Sequence, residues 1–374
     1  MKKRLSDVLV FIGFIIVGVI GGIVANGIEK EMFGEKATRL ESLVPFIIEI
    51  FLFISMLFLH IIIHECGHLI FGLISGYRFS SFMVANVMLL NDNGKLKLKK
   101  YHVPGAGGQC LMIPPKDKGD EVPFVLYNLG GVLMNFITAM LGTVIYILCD
   151  GGAIVNAILI NFSSIGFLLT LHNGIPMRTK QLANDGMNIL KLKKNPKARK
   201  AFANTLYIYE QTIMKKRLRE MPEEYFEIDL DSGEYDSVSA SIFIYRFMRL
   251  MDLGEFDEAI KLGEYILQHT DSMIGIHKNT MKLEIMYCRI LLDYSKEKIN
   301  EIYEDKEVEA FLKVAGKMIS TPRYQYAHAL LVEEDEGKAE KYYNDFYKVM
   351  EKYPYKADAK MEEELLLRAK KKHD

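Results

Sequence analysis

The sequence predicts a membrane α-helical fold of about four transmembrane helices with a small β-hairpin or sheet insert, followed by an all-α soluble C-terminal domain of helical-repeat type. Two observations predict this fold. The chain has 374 residues, half of them hydrophobic, and its long apolar runs lie before about residue 175, whereas most of its charge lies after it. A strong hairpin signal separates the second and third apolar runs. This length is sufficient for two domains.

Composition excludes several classes of site. The formal net charge is -1, which gives no general electrostatic case for binding nucleic acid. The four cysteines are scattered without the CxxC spacing of a zinc site, and they do not suggest a disulfide framework. They are Cys66, Cys110, Cys149 and Cys288.

The first apolar run, residues 8–25, follows a short basic start. That start also fits a signal peptide. The run is longer than a usual signal core, however, and no clear small-x-small cleavage site precedes Glu29. An uncleaved transmembrane helix is therefore favoured.

The second run, residues 43–75, contains the sequence HECGH in its last third. As one straight helix it would be about 50 Å long at 1.5 Å per residue. A hydrocarbon core is only about 30 Å thick. We expect this helix to tilt, to bend near Gly67 or Gly72, or to leave the membrane just after the motif.

Residues 76–121 form the predicted β insert. Short β-rich segments flank Asn91–Gly94, a strong hairpin signal. Prolines and glycines then interrupt the chain repeatedly between residues 104 and 115. We expect a small sheet at the membrane surface, or dipping into it beside the HECGH motif.

Two more apolar runs, residues 122–148 and 153–172, complete the predicted spans. Lysine and arginine concentrate at residues 2–4, 78–118 and 178–200, whereas the remaining loops carry few. Because basic loops stay in the cytoplasm, four spans with both termini cytoplasmic satisfy this distribution. The same topology places HECGH and Asn184-Asp185-Gly186 at one membrane face.

The predicted membrane domain is residues 1–190, followed by a linker and helix at 191–240 and a helical domain at 241–374. Within the last, Gly254-x-Phe256-x-x-Ala259 between two amphipathic helices resembles a tetratricopeptide repeat. Residues from Met361 onward are charged, and we expect them to fray.

His64 and His68 stand four residues apart, which places both imidazoles on one helix face where they can reach one zinc ion. Glu65 between them would serve as general base. The alternative is a pair of core histidines beside a buried glutamate. Such polar residues are costly inside a membrane segment unless they face a cavity or a partner, which favours the metal site.

A catalytic zinc ion needs a third protein ligand and an open position for water. Asp185 is the best candidate, because it lies on the same predicted membrane face after a segment broken by Pro176. The alternative is a helix N-cap or turn aspartate, for which Asn-Asp-Gly is well suited. We expect His60 to be a polar cavity residue and Cys66 to serve packing.

Three motifs in order resemble the site-2 protease family of intramembrane zinc metalloproteases, over roughly residues 43–190. They are His64-Glu65-x-x-His68, Gly130-Gly131-x-x-x-Asn135, and Asn173-x-x-Pro176 leading to Asp185-Gly186. The family often has Gly-Pro in place of Gly130-Gly131 and Leu-Asp-Gly in place of Asn184-Asp185-Gly186.

The resemblance implies one zinc ion per chain held by His64, His68 and Asp185, with Glu65 as general base and a locally unwound transmembrane helix as substrate. It also implies that Asn135 and Asn173 help to hold the substrate or the oxyanion.

The function expected is that of an intramembrane zinc metalloendopeptidase in a bacterial plasma membrane. It would act in regulated intramembrane proteolysis or in processing signal, pheromone or bacteriocin peptides. The predicted hairpin, whose second strand includes residues 95–100, would act as a gate or as an edge strand that pairs with extended substrate. The alternatives are a catalytically silent membrane scaffold whose repeat-like tail binds a protein partner, and a transporter or immunity-type protein.

Overall fold

The computed structural model describes residues 2–35, 38, 40–92, 94–100, 107–116, 121–149, 151–177, 183–227, 239–269, 275–316, 318–353 and 355–374. Within these ranges the fold is mostly helical, with four long apolar helices and one small four-stranded antiparallel sheet. The first ten elements are α1 (Lys2–Phe33), α2 (Leu43–Ile74), β1 (Arg78–Val84), β2 (Val87–Asp92), β3 (Lys95–Lys100), β4 (Gly108–Ile113), α3 (Phe124–Leu148), α4 (Gly152–Gly174), α5 (Asp185–Lys194) and α6 (Pro196–Ile213).

Among the described residues, α1 to α4 are the helices long and apolar enough to cross a membrane. This confirms the number of apolar helices, although α1 extends well beyond the predicted 8–25. Many of their large apolar side chains point outward; Phe11, Phe51 and Leu141 are each more than half exposed. Such surfaces match a hydrocarbon environment rather than water.

Helix α2 is continuous from Leu43 to Ile74, without a break at either glycine. The glycines serve packing instead. A Cβ on Gly67 would lie 2.3 Å from the carbonyl oxygen of Gly130, and one on Gly72 would lie 2.4 Å from Met112 Sδ. Helix α3 and strand β4 can therefore approach the motif-bearing end of α2 closely.

The sheet has the order β3-β2-β1-β4. The predicted hairpin at Asn91–Gly94 is confirmed, since Asp92 pairs with Lys95. A second tight turn joins β1 to β2, where Ala85 has a φ of 52°. Strand β4 lies where prolines and glycines suggested only breaks. It is ordered by pairing with β1, which is a contact that local sequence does not reveal.

One face of the sheet packs on the C-terminal helices. Met83 and Met88 are fully buried beside Ile213 of α6 and Tyr355. Arg78 at the start of β1 adds an ion pair to Glu210 of α6 at 2.7 Å. The sheet therefore joins the apolar helices to the helical domain.

The C-terminal helices share one large apolar core. They are α7 (Ser239–Leu253), α8 (Phe256–His269), α9 (Gly275–Leu291), α10 (Lys296–Tyr303), α11 (Lys306–Val314), α12 (Ser320–Leu331), α13 (Glu336–Lys352) and α14 (Lys356–His373). Gly254, with a φ of 85°, forms the turn between α7 and α8. That successive helices of this domain form tetratricopeptide repeats stays a prediction.

Two expectations for this half of the chain change. The prediction that residues from Met361 onward fray is wrong, because α14 buries Met361, Leu365 and Leu366 in the core. The predicted linker and helix, residues 191–240, is more helical than expected, because it holds the end of α5, all of α6 and two short 3-10 helices, Leu218–Glu220 and Glu223–Phe226. Residues 228–238 of that linker lie outside the described residues.

Candidate metal centre

The two motif histidines face the same point from α2. Their Nε2 atoms are 3.1 Å apart, and the rings are nearly perpendicular, at 81°. This follows from their spacing, because residues four apart lie one turn above one another on a helix. Both side chains are largely buried but not closed off, with 11% of each exposed.

Asp185 approaches from the start of α5. Its Oδ2 atom lies 3.0 Å from His64 Nε2 and 3.5 Å from His68 Nε2. Throughout the described ranges, these three residues form the one group of histidine, cysteine or acidic side chains close enough to share a metal ion. The residues proposed as ligands from the sequence are thus brought together.

The donor atoms fit a tetrahedral zinc ion. Ligand atoms that each lie about 2.0–2.1 Å from zinc are about 3.3 Å from one another. The three separations here, 3.0, 3.1 and 3.5 Å, bracket that value. Asp185 Oδ2 is also buried without a hydrogen-bond partner of normal geometry, which is costly unless a cation is bound there. Two imidazoles and one carboxylate leave a fourth position open.

Asn184 explains why Asp185 is available. The turn was suited to an aspartate N-cap, but Asn184 takes that role by accepting from the backbone N–H of Met187 at 3.0 Å. Its side-chain amide also donates to the carbonyls of His172 and Ile175, at the end of α4, both at 2.6 Å. Asn184 therefore fixes the start of α5 against α4 and leaves the Asp185 carboxylate free.

The imidazoles are held from behind. His68 Nδ1 donates to the backbone carbonyl of Tyr127 at 2.8 Å, which turns Nε2 toward the centre. His64 Nδ1 lies 3.3 Å from the side-chain amide of Asn135. Such outer partners orient metal ligands and fix their tautomers.

Glu65 is a residue of α2 whose side chain lies against β4, and it is 7% exposed. Its carboxylate hydrogen-bonds to the backbone of Cys110 and is close enough to His64, His68 and Asp185 to interact with their charges. A Cβ on Gly108 would lie 2.7 Å from Glu65 Oε1. Strand β4 can therefore pass the glutamate only because Gly108 has no side chain.

The strand beside the centre is β4 and not β3. The hypothesis that residues 95–100 gate the site or pair with substrate there is not supported, because β3 lies at the opposite edge of the sheet. At Cys110 the outer edge of β4 is already used, by Glu65 and by the Tyr127 hydroxyl, which donates to the Cys110 carbonyl at 2.8 Å.

The two asparagines suggested by the family resemblance occupy different settings. Asn135 is fully buried and contacts His60 and His64. Asn173 donates to the Leu169 carbonyl at 3.2 Å, within its own helix, rather than to the metal-binding residues. A substrate or oxyanion role for either residue stays a prediction.

Sequence reasoning did not anticipate the supporting roles of Asn184, the Tyr127 carbonyl, Gly108 and Gly131. Gly131 and Asn184 did stand in the motifs Gly130-Gly131-x-x-x-Asn135 and Asn184-Asp185-Gly186, but those motifs did not show what either residue contacts. Comparisons with family models, with curated proteins and with solved structures return no match for this chain. The assignment of the centre therefore rests on its own geometry.

Replacing Gly131 with alanine should disturb the centre directly. A Cβ at this position would lie 2.4 Å from His64 Cε1, so the imidazole must move. We expect zinc affinity, measured by chelator competition, to fall by about tenfold or more, the scale of losing a ligand's support. Gly18→Ala is the matched control, since a Cβ there meets nothing within 4 Å. Equal zinc affinity in both variants would contradict this role of Gly131.

Proposed function

We propose that this protein is a membrane-embedded zinc endopeptidase, similar to the site-2 protease family, that hydrolyses a peptide bond in a membrane-associated substrate. The observation that carries the proposal is the meeting of His64 and His68 with Asp185, a residue from a distant helix, at the spacing that zinc requires. Glu65 lies beside them on the same helix.

The setting of the motif supports action at a membrane. Helix α2 has 32 residues, or about 48 Å at 1.5 Å per residue. About 20 residues suffice to cross a bilayer. If the span begins near Leu43, the centre lies close to the far boundary, where water can reach it. The distribution of basic residues favours the cytoplasmic face for that boundary.

Each residue of the centre has a separate role in the proposed peptide hydrolysis. Zinc, when bound, would polarise the scissile carbonyl and lower the pKa of the attacking water to about 7. Glu65 would take the proton from that water and deliver it to the leaving amine. The Tyr127 carbonyl keeps the ligand His68 in place, and the cap made by Asn184 keeps the ligand Asp185 in place.

The test is a comparison of membrane peptides from cells that express the wild type or Glu65→Gln. The substitution removes the base and leaves the three ligands, so zinc content should be unchanged while cleavage falls by about 10²–10⁴-fold. Peptides that accumulate in the variant, identified by mass spectrometry, are the substrates.

Glu49→Gln is the matched control. Glu49 is also a buried glutamate of α2, but it lies about 24 Å from Glu65 along the helix axis, where it bonds Asn161 at 3.0 Å. We expect this variant to process substrate like the wild type. Identical peptide profiles for the wild type and Glu65→Gln, at equal expression, would reject the endopeptidase proposal.

A further inference from the structure

A cluster of buried polar side chains lies directly behind the metal centre, and it includes His60, which takes no part in the proposed hydrolysis. His60 is fully buried on α2, one turn before His64, and Asn135 of α3 is fully buried between them. We propose that His60 and Asn135 are positioning residues that hold His64 in its Nδ1–H tautomer and so leave Nε2 free for the metal. This inference rests on the proposed zinc centre.

The contacts form a continuous line from α4 to the centre. His60 Nε2 lies 2.7 Å from the carbonyl oxygen of Phe162. His60 Nδ1 lies 3.2 Å from one end of the Asn135 amide, and the other end of that amide lies 3.3 Å from His64 Nδ1. Each link can carry one proton, so the proton positions depend on one another.

The first link sets the direction of the line. The Phe162 carbonyl can only accept, so His60 Nε2 must carry a proton. A doubly protonated imidazole at a fully buried position would be costly, because no carboxylate of the described residues pairs with it. His60 is therefore neutral, and its Nδ1 is an acceptor. Because an acceptor needs a donor opposite it, His60 Nδ1 must face the NH2 end of the Asn135 amide.

That orientation differs from the one shown, in which Oδ1 faces His60 and Nδ2 faces His64. The two ends exchange by a half-turn of the amide, and hydrogen-bond partners decide between them. With the half-turn, Asn135 donates to His60 and accepts from His64 Nδ1–H. Every polar atom in the line is then satisfied, and His64 Nε2 presents its lone pair to the metal.

The two zinc ligands differ in a way that explains the need for His60. His68 is backed by a backbone carbonyl, which fixes its tautomer by itself. His64 is backed by an amide, which could present either end. His60 removes that ambiguity. Its ring fits because Gly166 has no side chain; a Cβ there would lie 2.6 Å from His60 Cε1.

The experiment measures zinc affinity of the purified full chain by chelator competition. Asn135→Leu removes the acceptor behind His64, and we expect affinity to fall about 10–100-fold, as for other outer-partner losses. Asn135→Asp keeps an acceptor of the same size, and we expect affinity within threefold of the wild type. Asn128→Leu is the matched control, because Asn128 is a buried asparagine of the same helix whose side chain, within the described part of the chain, bonds to the Phe124 carbonyl of that helix.

A second measurement does not depend on zinc. In metal-free protein labelled with ¹⁵N-histidine, we expect His64 to show a protonated Nδ1 in the wild type and to lose that signature in Asn135→Leu. A role confined to packing would not change the tautomer. His64→Ala identifies the resonance.

The outcomes separate the two proposals. If the wild type binds no zinc, the endopeptidase proposal fails, and the His64 tautomer still decides the present inference. A protonated Nδ1 that depends on Asn135 supports it. An unprotonated Nδ1 in the wild type, or equal zinc affinities for Asn135→Leu and Asn128→Leu, overturns it.

Discussion

Replacing Asp185 with alanine is expected to reduce the zinc content of the purified protein from about one ion per chain to nearly none. The reason is that the carboxylate supplies one of the three donor atoms and the only negative charge among them. Two neutral imidazoles would remain on α2, which is one ligand fewer than zinc enzymes use. Metal analysis after gel filtration measures the effect, and proteolysis should be lost with the metal.

The control is Asp345→Ala, which removes a surface aspartate of α13 that pairs with Lys348 in the next turn. It should keep the full zinc content. Stoichiometric zinc in Asp185→Ala would remove Asp185 from the ligand set. It would also require a different explanation for the burial of Asp185 Oδ2 beside the two imidazoles.

The second large effect concerns the C-terminal domain. Arg323 of α12 is fully buried and pairs with Glu284 at 2.8 Å and with Glu362 at 2.6 Å. Tyr287 and Tyr324 stack on its guanidinium at 4.2 and 4.6 Å. Three helices, α9, α12 and α14, are joined at this point.

Arg323→Leu should lower the free energy of unfolding of this domain by about 3–5 kcal/mol, because it leaves two carboxylates buried without their cation. That is a large share of the roughly 5–15 kcal/mol typical of a whole domain. Cys288 offers a local probe, since its thiol is fully buried in the same core. Its labelling rate as a function of urea, with the other three cysteines changed to serine, reports the unfolding of the domain.

Two comparisons define the result. Lys261→Met removes a cation from an exposed ion pair with Glu258 and should leave the urea midpoint unchanged. Replacing Arg323, Glu284 and Glu362 together by leucine or methionine should recover much of the stability, since no unpaired charge is then buried where the three helices meet. An Arg323→Leu midpoint equal to that of the wild type would show that the carboxylates find other partners.

Local sequence predicted the features that depend on near neighbours. The apolar runs identified four helices, and Asn91–Gly94 identified the β2–β3 hairpin. The spacing of His64 and His68 placed both imidazoles on one face. Strand β4 and the burial of α14 could not be predicted in this way, because each is ordered by residues far away in the chain.

What the sequence determined by itself is therefore the four apolar helices, the β2–β3 hairpin and the shared helix face of His64 and His68, since hydropathy and helical periodicity act over a few residues. The tertiary structure alone decided that Asp185 meets His64 and His68, that Asn184 takes the capping role, and that β4 rather than β3 lies beside Glu65. It also decided the line from Phe162 through His60 and Asn135, whose links join residues 102 and 75 positions apart. Contacts at such distances depend on how whole helices pack, and no local pattern encodes that packing.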